Sequence, residues 1–170
     1  MTLMEKLESD LEGSIITAKA QASFREYILK EAKQAGVVYH FTILSNLPSI
    51  LQSGKLKTSD NNTNGLKFLS LTRDFQLPDN PNSYFKNCDV RFVLDGDKIS
   101  NNIRVPPFHD ELYDDESEEV VFKSLKLSKY LKNIDVKIPK MTFIDTEKII
   151  KLGKKYNIII NIVNKWLPAK

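Results

Sequence analysis

Val37-Val38-Tyr39-His40-Phe41-Thr42 is a β-branched and aromatic run preceded by Gly36, and it reads as a buried strand with one histidine in its middle. Ile43-Leu44-Ser45-Asn46-Leu47-Pro48-Ser49-Ile50-Leu51-Gln52-Ser53-Gly54 follows it and predicts a short helix. Ser45 is suited to the N-cap, and Pro48 falls in the first turn, where its missing N–H costs nothing. Leu47, Ile50 and Leu51 share one face, and Gly54 stops the helix where positive φ is usual. The unit delivers a histidine on a strand and begins a helix directly after it.

Around that unit the chain is ordinary in bulk. Its 170 residues predict one domain with a real core, with no internal repeat and no linker. The apolar fraction of 41% and charged fraction of 28% are those of a soluble globular protein. A net charge of +3 does not announce a nucleic-acid partner. Cys88, the only cysteine, excludes an internal disulfide and fits a reducing compartment. No apolar run reaches the length of a membrane span, and the N-terminus has acidic residues where a secretory signal would be basic. The expectation is a cytoplasmic protein, bacterial or in a host cell, with no membrane partner.

Leu3, Leu7, Leu11 and Ile15 recur at a spacing of four, and Ser23 with Glu26 forms a capping box for a second helix that places Phe24, Ile28, Ala32 and Ala35 on one face. Residues 1–36 therefore read as an N-terminal helical extension to a domain over 37–170, and its free helix would allow a homodimer. Lys55 to Ser59 predicts a short strand, and Asp60 to Gly65 a turn. Phe68 to Asp74 alternates strictly, with Phe68, Ser70 and Thr72 on one side and Leu69, Leu71 and Arg73 on the other. Gln76 to Asn87 reads as a surface loop, Asp89 to Leu94 as a strand, and Asp95-Gly96-Asp97 as a tight turn. Asn101 to Glu119 is irregular, with Pro106, Pro107 and an acidic run from Asp110. Glu118-Glu119-Val120-Val121-Phe122 then predicts a strand, Ser128 to Ile134 a helix, Ile134 to Ile138 a strand, and Thr146 to Tyr156 a helix capped by Asp145. The β-branched run Asn157 to Val163 predicts a central last strand.

Three polar features carry chemistry: His40, the pair Ser70 and Thr72, and the pair Glu118 and Glu119. Each also has a plain structural reading, as a bonded core histidine, hydroxyls serving backbone groups, and a wet acidic surface. One histidine in a strand and the other, His109, in a loop argue against zinc, and no metal is expected. No glycine-flanked nucleophile elbow is present, and six glycines scattered singly make no phosphate-cradling loop. Nothing near Cys88 would make it a nucleophile. Strand alternation sends Glu118 and Glu119 to opposite faces, so only one enters a cleft.

Tyr39-His40-Phe41-Thr42 with the helix Asn46 to Gly54 resembles the opening of ADP-ribosyltransferase-fold proteins, in the branch holding DNA-modifying toxins and RNA 2′-phosphotransferases. Leu69-Ser70-Leu71-Thr72-Arg73 looks like that family's second motif, and Ser117-Glu118-Glu119-Val120-Val121 is similar to the third, a glutamate before a short aliphatic strand. The likeness spans Val37 to about Ile138. It implies an α+β fold with a split, mostly antiparallel sheet and flanking helices. It implies NAD as cofactor and transfer of ADP-ribose to a macromolecular acceptor, protein or nucleic acid, in a toxin or phage–host setting. His40 would bind a ribose hydroxyl of NAD, with Tyr39 and Thr42 beside it. Ser70 and Thr72 would brace the nicotinamide-ribose pocket, Arg73 would meet a phosphate, and Glu119 would act as the catalytic glutamate together with His40. Arginine-directed members carry a glutamate where this chain has Ser117. Reading Glu118 as catalytic instead would make Glu116 that partner.

Two rivals follow. An RNA 2′-phosphotransferase-like enzyme needs several arginines, and Arg73, Arg91 and Arg104 are the candidates. A catalytically inactive binding or phage accessory protein of the same fold predicts that His40 and Glu119 do not face a common cleft. For nucleic acid, Lys55, Lys57, Lys67, Lys86 and Arg91 would be tolerant but not decisive.

Overall fold

The computed structural model describes residues 36–60, 67–103, 118–137 and 143–169. The predicted N-terminal helices, the predicted turn from Asn61 to Gly65, Pro106 and Pro107 with most of the acidic run, His109 and Arg104 lie outside them.

The opening unit forms as its sequence dictates. Strand β1 (Val37–Thr42) is followed by a 3-10 turn at Leu44–Asn46 and helix α1 (Leu47–Ser53). Pro48 sits in the first turn, Leu47 and Leu51 are buried, and Gly54 closes the helix at φ 65°, a conformation that costs glycine nothing. The cap differs from expectation. Ser45 lies within the 3-10 turn, and the N-cap position belongs to Asn46, which makes no side-chain cap bond. Asp89 serves this region instead, its Oδ1 accepting the Leu44 N–H at 2.7 Å.

Short strands β2 (Lys55–Leu56) and β3 (Ser59–Asp60) replace the single one expected over Lys55 to Ser59. Then come β4 (Lys67–Thr72), a 3-10 turn at Leu77–Asp79, β5 (Val90–Asp95) and α2 (Gly96–Asn102). The expected surface loop after β4 turns inward at Leu77, Pro78 and Ser83, which are buried. The expected tight turn at Asp95-Gly96-Asp97 is a helix start. Asp95 is its N-cap and accepts the Lys98 N–H at 3.0 Å, the alternative use of the same residue type. β6 (Glu118–Val121), β7 (Leu125–Lys126), α3 (Leu127–Tyr130), β8 (Leu131–Lys137), α4 (Phe143–Tyr156) and β9 (Ile160–Val163) complete the order. The helix expected over Ser128 to Ile134 is one turn only. From Leu131 the chain joins the sheet, where Ile134 and Val136 bury completely against β5.

The main sheet runs β3-β4-β1-β5-β8-β9, with β6 also paired to β4, and β2 and β7 form a separate ribbon. All pairs are antiparallel except β8 with β9. The last strand is not central but the sheet's edge, because the helix before it returns the chain to the outside of β8. Among the described residues β1 pairs with β5 along its whole length, from Val37↔Asp95 to Thr42↔Val90, but meets β4 at one register position, Tyr39↔Thr72. The sheet is therefore split into a wing of β1, β5, β8 and β9 and a wing of β3, β4 and β6. The expected α+β class, with a mostly antiparallel split sheet and flanking helices, is the one the chain adopts.

One face of the sheet is covered by α1 and α4 over Val38, Val90, Phe92, Leu94, Ile134 and Val136. On the other, Val37, Tyr39, Phe41, Val93, Leu77 and Trp166 form a second core. β5 is consequently apolar on both sides, as a strand covered on both faces must be. At ~1.5–3 kcal/mol per buried large side chain, these cores hold the strands that carry the polar residues. Among the described residues no helix is long and apolar enough to cross a membrane.

Candidate active site

The register decides which polar residues meet. Leu71 on β4 lies opposite Glu119 on β6, so the two share a face, and Arg73 shares it by alternation. Tyr39 lies opposite Thr72, which puts Tyr39, Ser70 and Thr72 on one face and His40 on the other, the face of Arg73 and Glu119. The structure thus puts His40, Arg73 and Glu119 on one face of the sheet, with Thr42 on the same side of β1, and puts the side chains of Tyr39, Ser70 and Thr72 on the other. Glu118 is opposite Thr72, one register position away from the shared face.

Glu119 is 2% exposed. Arg73 reaches it across the strand pair, with Nε donating to Oε1 at 2.5 Å and Nη2 to Oε2 at 3.5 Å. The resemblance implied a phosphate as the contact of Arg73; among the described residues its side chain pairs with Glu119. The pair forms with Glu119 because β6 docks alongside β4 in this register. Arg73 Nη1 is buried and has no hydrogen-bond acceptor among the described residues, an uncommon state for a buried donor. Burial raises the Glu119 pKa above its ordinary value, and the charge and hydrogen bonds of Arg73 pull it partly back.

His40 is half-buried beside Phe92, its ring centroid 6.2 Å away. Its Nδ1 lies 2.8 Å from the Ser70 carbonyl, which can only accept, so Nδ1 carries the hydrogen. Burial lowers the His40 pKa, only partly opposed by that bond, and the neutral ring presents Nε2 as an acceptor. Ser70 contributes through its backbone, which ties the two wings together at the split. Thr72 Oγ1 accepts the Asp74 N–H at 3.1 Å, and Thr42 Oγ1 accepts Asn46 Nδ2 at 3.0 Å. The Tyr39 hydroxyl accepts the Ala169 N–H at 3.1 Å, well away from His40's face.

Arg91 is not available to a ligand. Its Nε and Nη2 donate to Asp135 Oδ2 at 3.1 and 2.6 Å, its Nη1 to the Phe75 carbonyl at 2.9 Å, and its guanidinium is packed over Tyr39 and Trp166. The reading of the sequence missed Asp135 and Trp166. The signal for the first was there, since Arg91 and Asp135 are single charges inside apolar strands. Burial, reinforced by Asp89, pushes the Cys88 thiol up to about 11, in keeping with an inert cysteine.

No protein-family profile and no curated protein matches the chain. Among solved structures it is similar to Thermus sp. 2.9 DarT in complex with NAD+, at 12% identity and a TM-score of 0.49 over 76% of this chain and 96% of that one. It is similar also to Thermus sp. 2.9 DarT in complex with ADP-ribosylated ssDNA, at 12% identity and a TM-score of 0.49 over 77% of this chain and 95% of that one.

Proposed function

We propose that this chain transfers ADP-ribose from NAD to a macromolecular acceptor, using Glu119, Arg73 and His40. One observation carries the reading: a buried carboxylate gripped by an arginine that keeps a donor with no acceptor among the described residues, on the same sheet face as a neutral histidine. Those groups fit NAD. Arg73 Nη1 would donate to an oxygen of the diphosphate or ribose, and His40 Nε2 would accept a ribose hydroxyl. Cleavage of the bond between ribose C1 and nicotinamide leaves positive charge on the sugar, with the electron pair departing on nicotinamide. Glu119 stabilises that charge. The acceptor's lone pair then forms the new bond to C1, and a carboxylate whose pKa is raised by burial is a better base for the proton the acceptor releases.

The inactive-protein reading has His40 and Glu119 facing no common cleft; that the two lie on one face of the sheet supports the enzyme reading instead. The 2′-phosphotransferase reading loses Arg91 to Asp135. Single-stranded DNA is the first acceptor to test, with RNA and protein beside it, since DarT has been captured with ADP-ribosylated ssDNA. The experiment is incubation with labelled NAD and each acceptor in turn, with nicotinamide release followed in parallel. Transfer to one acceptor that falls ~100-fold or more in Glu119→Gln is the expected result. Equal transfer by wild type and variant, or none with any acceptor and no nicotinamide release, overturns the reading.

A further inference from the structure

The opposite end of the sheet bears a second surface. Among the described residues β9 is an edge strand bonded to β8 on one side only, beginning with the Ile134 N–H to the Ile159 carbonyl at 2.9 Å. Successive residues of a strand turn their backbone groups to alternate sides, so the N–H and C=O of Ile160 and Ile162 point outward from the sheet. Natural sheets usually blunt such an edge with charge, proline or a covering element. Here it is flanked by apolar surface. Ile159 is 65% and Ile150 41% exposed, and with Lys154, Asn157 and Ile160 they line a groove between the end of α4 and the start of β9. The groove's floor is firm. A Cβ at Gly153 would meet the Ile158 carbonyl at 2.8 Å, and Asn157 takes φ 54° to turn the chain, so the helix end and the strand start are locked together.

Charge decides what would bind. Lys148, Lys151, Lys154 and Lys155 are exposed along α4, and Lys165 is exposed just after β9, against two carboxylates on the helix, Asp145 and Glu147. A second copy pairing β9 with β9 about a two-fold axis would bring these lysines against one another. A nucleic acid would use the lysines but neither the strand edge nor the isoleucines.

We propose that the outer edge of β9 and its groove accept an extended peptide of a partner protein, one that alternates apolar and acidic residues. The peptide adds a strand through the backbone groups of Ile160 and Ile162, seats its apolar side chains beside Ile159 on one face of the sheet, and turns its carboxylates toward the α4 lysines on the other. This surface is independent of the Glu119 site.

The test is fluorescence polarisation of a labelled peptide of alternating valine and glutamate against the full chain. Expected is saturable binding that weakens as salt is raised, drops about tenfold in Lys154→Glu, and is lost in Ile159→Lys and when alternate peptide amides are N-methylated. Both substituted side chains are on the surface, and circular dichroism checks that the variants fold. Absence of binding overturns the proposal. So does equal binding of a valine–lysine peptide, indifference to N-methylation, preferential displacement by oligo(dT), or a concentration-dependent dimer in sedimentation that Ile159→Lys abolishes.

Discussion

Arg91 and Arg73 both reach a carboxylate on another strand, and the two pairs are completed very differently. Every nitrogen of Arg91 has an acceptor. Its partner Asp135 also takes Asn133 Nδ2 at 2.7 Å and Asn161 Nδ2 at 2.9 Å, and Tyr39 and Trp166 pack on the guanidinium. Arg73 has one nitrogen with no acceptor, and Glu119 receives donors from Arg73 alone among the described residues. The first network lies inside the continuous wing, where β1, β5, β8 and β9 pair along their lengths. The second lies on the wing joined to it at a single register position. A saturated buried pair is part of the framework, whereas a buried pair with a spare donor at a split in the sheet is placed to meet something else.

That contrast is open to attack. Asp135→Ala leaves the Arg91 charge buried and without its carboxylate. It should cost ~3–5 kcal/mol in urea unfolding, with any loss of transfer activity following the loss of fold. Trp166→Ala, which opens the second core beside Phe41 and uncovers Arg91, should cost about 3 kcal/mol in the same assay. Glu119→Gln should invert the balance. Burial already works against its carboxylate, so the stability loss should stay near ~1 kcal/mol while transfer falls ~100-fold. If Glu119→Gln unfolds the chain as readily as Asp135→Ala, the two pairs are equivalent and the contrast is wrong.

His40 sharpens the comparison through pH. Its folded pKa lies below 6.5, so as pH falls from 6.5 the unfolded chain takes up the proton first and stability drops, by at most ~1.4 kcal/mol per pH unit. Glu119 slopes the other way, with stability falling as pH rises through the range above 4.5, because its folded pKa is raised. The difference between wild type and His40→Asn isolates the histidine: the variant should lose the drop below pH 6.5 and keep the glutamate's slope. The smallest effect is at Cys88. With its thiol pushed to about 11, it should alkylate far more slowly at neutral pH than after unfolding.

Much of the frame was legible because it is local. The β-branched run Val37 to Thr42, the proline and glycine bracketing α1, and the alternation of Phe68 to Thr72 constrain backbone within a few residues. The misreadings came from residues whose preference is shared between two structures. Asp95-Gly96-Asp97 suits a turn and a helix start equally, and Leu131 to Asn133 carries a helical pattern that pairing with β5 overrides. β9 reads as central on composition, but only the path of α4 places it at the edge.

His40 and Glu119 were candidates from local sequence alone, as a histidine inside a strand and a glutamate at a strand's start. Which of their neighbours joins them could not be read there. The assignment of Arg73 to Glu119, of Arg91 to Asp135, and of Tyr39, Ser70 and Thr72 to the far face depends on strand register. A one-residue slip in that register would exchange every one of them. Strand and helix were set by preferences of neighbouring residues. Partnership across the sheet was set by the packing of distant segments, and that exists only once the chain is folded.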